Sequence, residues 1–308
     1  MTAMSLVHVA VLLAAPPVVG GIIARTKSAF AGRRGPPILQ PYFDLVKLAR
    51  KGAVYSRTTT WVFRAGPVIA LAATLTAGLL VPLTAEPAPL AFEGDVILFA
   101  YLLGLARFVT ILAAADTGSS FEGMGASREA TFGALAEPAL FAGILVLALG
   151  AKSLCLSVIL GPSLHALWGA IGPALVLVAV SFAILLLVEN CRIPADDPNT
   201  HLELTMIHEV MVLDHGGPDL ALILHGAAVK LFLFAAILVR LLLPTDLGDP
   251  MLELAVRAAG LVAIAIGVGV IESTMARLRM NRVPILIGGA LVLSTVAIAV
   301  LFTVGGAR

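Results

Sequence analysis

The residues able to do chemistry are concentrated between Glu189 and Asp219, in ENCRIPADDPNTHLELTMIHEVMVLDHGGPD. Glu189, Asp196, Asp197, Glu203, Glu209, Asp214, Asp219, Arg192, His201, His208 and His215 lie there between two long apolar runs. Such a set can hold and pass protons, because histidine titrates near neutral pH and burial raises carboxylates toward the same range. Metal binding along a helix calls for histidines four apart, as in HxxxH. His201, His208 and His215 are instead spaced by seven, so no metal site is expected. A solvated charged face is the plainer reading, but Leu202, Leu204, Met206, Ile207, Val210 and Met211 make the stretch too apolar for a free loop. Asp197-Pro198 followed by Asn199 and Thr200 predicts a helix from His201 to Asp214, ended by Gly216, Gly217 and Pro218. That helix would carry His201 and His208 on one face. The expectation is a partly buried helix whose acids and histidines relay charge.

The rest of the chain must position this segment. Of 308 residues, 59% are hydrophobic and only 13% charged, with a mean hydropathy of +1.02; about a quarter of a soluble domain is charged. A hydrocarbon core about 30 Å thick needs about 20 apolar residues per helix. The sequence therefore predicts an all-α integral membrane protein of about eight transmembrane helices, at 4–24, 61–83, 95–115, 137–160, 165–188, 221–243, 253–272 and 283–303. No charged region precedes the first run, which is expected to be a helix and not a signal peptide. Lysine and arginine crowd the segments 25–60 and 273–282, whereas the loops 84–94 and 244–252 hold acids and neither Lys nor Arg. By the positive-inside rule, 25–60, 116–136, 189–220 and 273–282 face the cytoplasm and both termini the other side, with 1–308 forming a single polytopic membrane domain.

Within 25–60, Gly32, Gly35, Pro36 and Pro37 interrupt helix and Pro41 starts a short amphipathic one. It either anchors on lipid headgroups or docks a partner. Glycines at 118, 123, 125 and 133 predict a flexible loop over 116–136, with Glu137-Pro138 opening the next helix and placing a carboxylate at its mouth. Inside the spans, Arg107, Lys152 and Lys230 are the deepest ionisable groups. Lys230 lies near the centre of its span and reads either as a proton relay or charge partner, or as a buried ion pair fixing helix packing. Arg240 and Arg257 are expected to reach the outer surface by snorkelling. Cys155 and Cys191 have no partner at metal-cluster spacing, so any redox centre is expected in another chain.

These residues resemble a known family. Gly32-Arg33-Arg34-Gly35-Pro36, then Gln40-Pro41, Asp44, Lys47-Leu48 and Lys51, is similar to the GPxxxxQPxxDxxKLxxK signature of the membrane subunit 1 of respiratory complex I, with Gly52 where the family often has Glu. Gly125-Ala126-Ser127 leading to Glu137 resembles its ASAQxxSYE pattern, one helical turn longer. Arg192, Pro194 and Asp196 match RxPFD, and Glu203 matches one of the glutamates after it, while Asn199 and His201 stand where complex I has further acids. DDPNTHLELTMIHE resembles instead the branch found in energy-converting membrane-bound NiFe hydrogenases, including formate hydrogenlyase and hydrogenase-4.

The resemblance implies a membrane-anchor and ion-coupling subunit of a group 4 membrane-bound hydrogenase in the cell inner (plasma) membrane. Its proton path would run through Glu137, Glu189, Arg192, Asp196, Asp197, His201, Glu203, His208, Glu209 and Lys230. Arg33, Arg34, Gln40, Asp44, Lys47 and Lys51 would dock the hydrophilic arm. The implied partners are hydrogenase large and small (iron–sulfur) subunits, antiporter-like membrane subunits and the lipid bilayer, with no nucleic acid. The NiFe centre and iron–sulfur clusters would belong to those partners, and this chain would hold no cofactor and no catalytic residue, with quinone disfavoured. Two other readings are the quinone-site subunit of a complex I-like NADH/F420 dehydrogenase and a stand-alone secondary transporter; the second lacks an internal repeat with paired broken helices.

Overall fold

The computed structural model describes residues 3–84, 86–196, 206–244 and 247–305. Asp197, His201 and Glu203 of the expected proton path lie outside the described residues. No strand occurs among the described residues, and seven helices are long and apolar enough to cross a membrane, eight if a bent pair is one span.

That pair is α1 (Ala3–Ala14) and α2 (Pro16–Phe30), which turn by 46°. Pro16 and Pro17 bring no N–H to the helical ladder, so the single first span expected from hydropathy is broken there. The Tyr42 hydroxyl donates to the Ala14 carbonyl at this break. Tyr42 belongs to α3 (Gln40–Ala49), which buries none of its own residues and packs beside α2.

Next come α4 (Trp61–Gly78) and α5 (Asp95–Asp116), packed along each other. Asp116 accepts from the Thr60 backbone N–H at 2.6 Å and the Thr60 hydroxyl at 2.9 Å, joining the last residue of α5 to the cap of α4.

The segment 116–136 is not a flexible loop. From Ser120 it is the first half of α6 (Ser120–Ala151), a 32-residue helix that at 1.5 Å per residue is about 48 Å long, well beyond a bilayer core of about 30 Å. Glu137 and Pro138 accordingly lie inside α6, not at its start. The expected span 137–160 stops at Ala151, and the short α7 (Leu156–Ile159) follows. Lys152 is the exposed cap of α6 at φ 52°, so it is not a deep charge.

The remaining helices are α8 (Ser163–Glu189), kinked at Ile171, then α9 (Gly217–Leu242), α10 (Pro250–Thr274) and α11 (Val283–Gly305). α11 lies along α6 and α8, α10 along α2 and α9, and α4 along α9. Within 206–214 the expected helix is reduced to a bend and one 3-10 turn, Glu209–Val212.

The basic loops gather at one end of the bundle. At the other end Arg240, 7% exposed, does not snorkel. Its guanidinium donates to the carbonyls of Pro82 at 3.0 Å, Leu160 at 2.9 Å and Thr84 at 2.5 Å. These irregular stretches cannot satisfy their own carbonyls away from water, so the arginine does it. Arg257 likewise stays inside, pairing with Glu253 one turn away on α10. Arg240→Met is expected to strand these acceptors at about 1–3 kcal/mol each. A clear drop in the melting temperature of the detergent-solubilised chain is the expected result, and a melt equal to wild type contradicts the staple.

Candidate functional site

Four helices, α5, α6, α8 and α9, deliver charged groups to one cluster well inside the bundle. Lys230 lies 13 residues beyond the start of α9 at Gly217, and Arg107 nine residues before the end of α5 at Asp116. At 1.5 Å per residue, that level is about 14–20 Å below the helix ends. α8 ends there, at Glu189. The chain beyond α8 therefore folds back among its neighbours, turning at Cys191 (φ 51°) and Arg192.

Arg107 is the hub. Its guanidinium donates to Glu189 at 2.5 Å and Glu137 at 2.6 Å, and its Nε lies 3.3 Å from Glu129 in an ion pair without hydrogen-bond geometry. Lys230 Nζ lies 2.7 Å from the second oxygen of Glu189. The Glu189 side chain is 5% exposed and that of Arg107 9%. Charges this far from water persist only when paired. Here three carboxylates face two cations, so the group holds one negative charge in excess.

Glycines make the approach possible. A Cβ on Gly133 would sit 2.6 Å from Arg107 Nη1, and one on Gly125 would sit 3.0 Å from the Ile207 carbonyl oxygen. Both glycines are helical and serve close packing, not loop flexibility.

A second set of ion pairs holds the chain beyond α8. Asp196, 3% exposed, pairs with Arg277 at 2.7 Å and accepts from the backbone N–H groups of Ile207 at 3.1 Å and His208 at 3.4 Å. Glu272 at the end of α10 lies 2.8 Å from Lys27 and 3.4 Å from Arg192. Arg128 of α6 donates to the Met206 carbonyl at 2.8 Å, and Glu122 accepts from the Asp214 backbone N–H at 3.0 Å.

Between α4, α5, α9 and this folded-back chain is a cavity of about 260 Å³. Arg107, Glu129, Glu189, Lys230, Cys191, Arg192, Asp196, His208 and Glu209 line its polar part, and Leu71, Leu103, Ile223 and Leu231 belong to its apolar wall. Ligand atoms of Glu129, Cys191 and His208 all lie within 4.8 Å of one another. Burial pushes the Cys191 thiol well above its usual range and holds His208 below its own. His215 does not share the cavity. It stacks on Phe63 with ring centroids 3.9 Å apart and planes 6° off parallel, and burial lowers its pKa too.

The family model described as NADH dehydrogenase matches residues 2–304. The chain belongs to this family. It is 32% identical over 286 residues to formate hydrogenlyase subunit 4 of Escherichia coli (strain K12), covering 91% of this chain and 92% of that protein. It is 33% identical over 280 residues to hydrogenase-4 component C of the same organism, covering 89% and 87%. In fold it is similar to a chain from the structure of the membrane-bound sulfane sulfur reductase, an archaeal respiratory membrane complex, with a TM-score of 0.81, 21% identity and coverage of 96% and 98%.

In this member of the NADH dehydrogenase family, the structure brings Glu137, Glu189, Arg192, Asp196, His208, Glu209 and Lys230 to the cavity or its ion pairs. Of the other group named from sequence, Arg33, Arg34, Asp44, Lys47 and Lys51 are exposed, and Gln40 donates to Asp44 at 2.9 Å. Sequence reasoning flagged Arg107 as deep but gave it no role, overlooked Glu129 and Glu272, and used Lys27 and Arg277 only as basic residues that set the orientation, not as ion-pair partners. Glu129 was hidden in the segment taken for a loop. The depth of Arg107, nine residues inside an apolar span, was the signal that a carboxylate set had to lie opposite.

Gly133→Ala is expected to push Arg107 out of register at a cost of about 1–3 kcal/mol, read as a lower melting temperature; an unchanged melt contradicts the close approach. His208 and His215 have pKa values lowered by burial, so the unfolded chain takes up their protons first. Their contribution is complete above about pH 6.5 and is lost as pH falls beneath it, by up to about 1.4 kcal/mol per pH unit and histidine. His215→Phe, which keeps an aromatic stack on Phe63, is expected to flatten the fall in melting temperature between about pH 7 and 5. An unaltered slope contradicts this origin.

Proposed function

We propose that this chain is the membrane-anchor and ion-coupling subunit of a group 4 membrane-bound NiFe hydrogenase of the formate hydrogenlyase type, linking electron transfer in a hydrophilic arm to movement of protons or sodium ions. The observation that carries the reading is the group around Arg107, with Glu189 buried and Glu137 half-exposed, in which three carboxylates share two cations beside a cavity. One carboxylate without a cation of its own is the place where the group can take up a proton. Reorienting Arg107 or Lys230 changes which carboxylate that is, and so moves the proton.

The basic end faces the cytoplasm by the positive-inside rule and, with exposed Arg33, Arg34 and Lys47, meets the arm formed by hydrogenase large and small iron–sulfur subunits. The NiFe centre and clusters reside in those partners, this chain carrying no redox centre, and antiporter-like subunits lie alongside it in the inner membrane. The two Escherichia coli relatives support the hydrogenase branch, each named as one component of such a system.

A quinone site is the second reading, favoured by the apolar wall of the cavity. At about 260 Å³ the cavity falls just short of typical ligand pockets of about 300–1,000 Å³, which fits water and small ions better than a ring with a chain. Isolation of the whole complex separates the readings, since hydrogenase subunits are expected to accompany the chain, whereas bound quinone with NADH-input subunits supports the second.

Lys230→Ala leaves Glu189 held by Arg107, so assembly is expected to survive. In membrane vesicles carrying the complex, electron flow is expected to continue while ion translocation per electron falls severalfold or more. Translocation at the wild-type ratio contradicts the coupling role.

A further inference from the structure

We propose that Glu129, Cys191 and His208 form a binding site for a thiophilic divalent cation of the zinc class, its fourth ligand position open to the cavity. This goes beyond the coupling reading and does not rest on it. The three residues come from separate parts of the chain: Glu129 from the first half of α6, Cys191 from the turn after α8, and His208 from the turn just before the 3-10 helix Glu209–Val212. Their ligand atoms are nonetheless mutually within 4.8 Å. Around a tetrahedral zinc ion, with bonds of roughly 2.0–2.3 Å, ligand atoms are spaced by roughly 3.3–3.8 Å. Side-chain adjustments of about 1 Å therefore close the site without moving a helix.

Electrostatics and ligand chemistry favour this occupant. The neighbouring group of Arg107, Lys230, Glu129, Glu137 and Glu189 carries one negative charge in excess, which a cation neutralises. Glu129 is the one of its three carboxylates that Arg107 holds without a hydrogen bond, at 3.3 Å, so it is the least costly to share. His208 Nδ1 is buried with no hydrogen-bond partner, which leaves the imidazole free of a competing neighbour on that side. A thiolate, an imidazole and a single carboxylate select zinc-like ions, whereas Mg²⁺ and Ca²⁺ require mostly oxygen ligands. On binding, the Cys191 Sγ–H bond is replaced by an Sγ–metal bond and one proton is released to solvent. An ion held there ties α6 to both ends of the folded-back segment.

Co²⁺ added to the purified full-length chain in detergent tests the site, because cobalt bound to a thiolate shows a near-ultraviolet charge-transfer band. The expected result is saturable binding of about one Co²⁺ per chain with that band, displaced by Zn²⁺ and not by Mg²⁺. Cys191→Ser is expected to lose the band, and His208→Gln to bind at least about tenfold more weakly, both with a wild-type melting temperature. Should the serine variant fail to fold, Cys191→Ala supplies the same arm. No saturable binding by the wild type, a band that persists without Cys191, or wild-type affinity in His208→Gln overturns the proposal.

Discussion

A guanidinium held nine residues inside an apolar helix is the constraint on which the rest of the structure depends. An unpaired charge at that depth costs several kcal/mol, so Arg107 can stay only if carboxylates converge on it from other helices. Glu129 and Glu137 come from α6 and Glu189 from the end of α8. α6 in turn needs glycine at 133 to pass close enough. Because α8 must stop at Glu189 to present its carboxylate, the chain after it begins at mid-bundle and not at the surface. Asp196, Arg277, Arg192, Glu272 and Lys27 form a second set of ion pairs that holds this part of the chain.

The first layer of ion pairs is uneven in charge. A neutral buried pair would serve only to fix helix packing, and replacing it by apolar residues would be tolerated or stabilising. Three acids against two bases cannot each have a cation of their own, and a cavity lies beside them. The likeness to a respiratory membrane complex at 21% identity bears on the fold, whereas the two relatives above 30% bear on the family.

Much of the architecture was legible in the sequence because hydropathy is a one-dimensional signal. The spans at 61–83, 95–115 and 221–243 lie close to α4, α5 and α9. Lys230 stood out by its depth, and its partner Glu189 was visible at the end of the preceding span. What failed were inferences from local composition that tertiary packing reversed. Gly125 and Gly133 looked like loop residues and proved to be contact points of a long helix. Arg240 looked free to reach the surface, but the carbonyls of Pro82, Thr84 and Leu160 needed its donors more. The closeness of Glu129, Cys191 and His208 has no counterpart in sequence spacing, since it exists only after the chain folds back below the ends of α5 and α9.

At the centre of the network Arg107 and Glu189 act as one unit. A double-mutant cycle measures this, using Arg107→Met, Glu189→Leu and the combined variant, each read as unfolding free energy of the solubilised chain. Strong non-additivity is the predicted result, with an interaction term above about 1 kcal/mol and within the roughly 0.5–3 kcal/mol seen for contacting residues. Two effects that simply add, within about 0.3–0.5 kcal/mol, would contradict an Arg107-centred network.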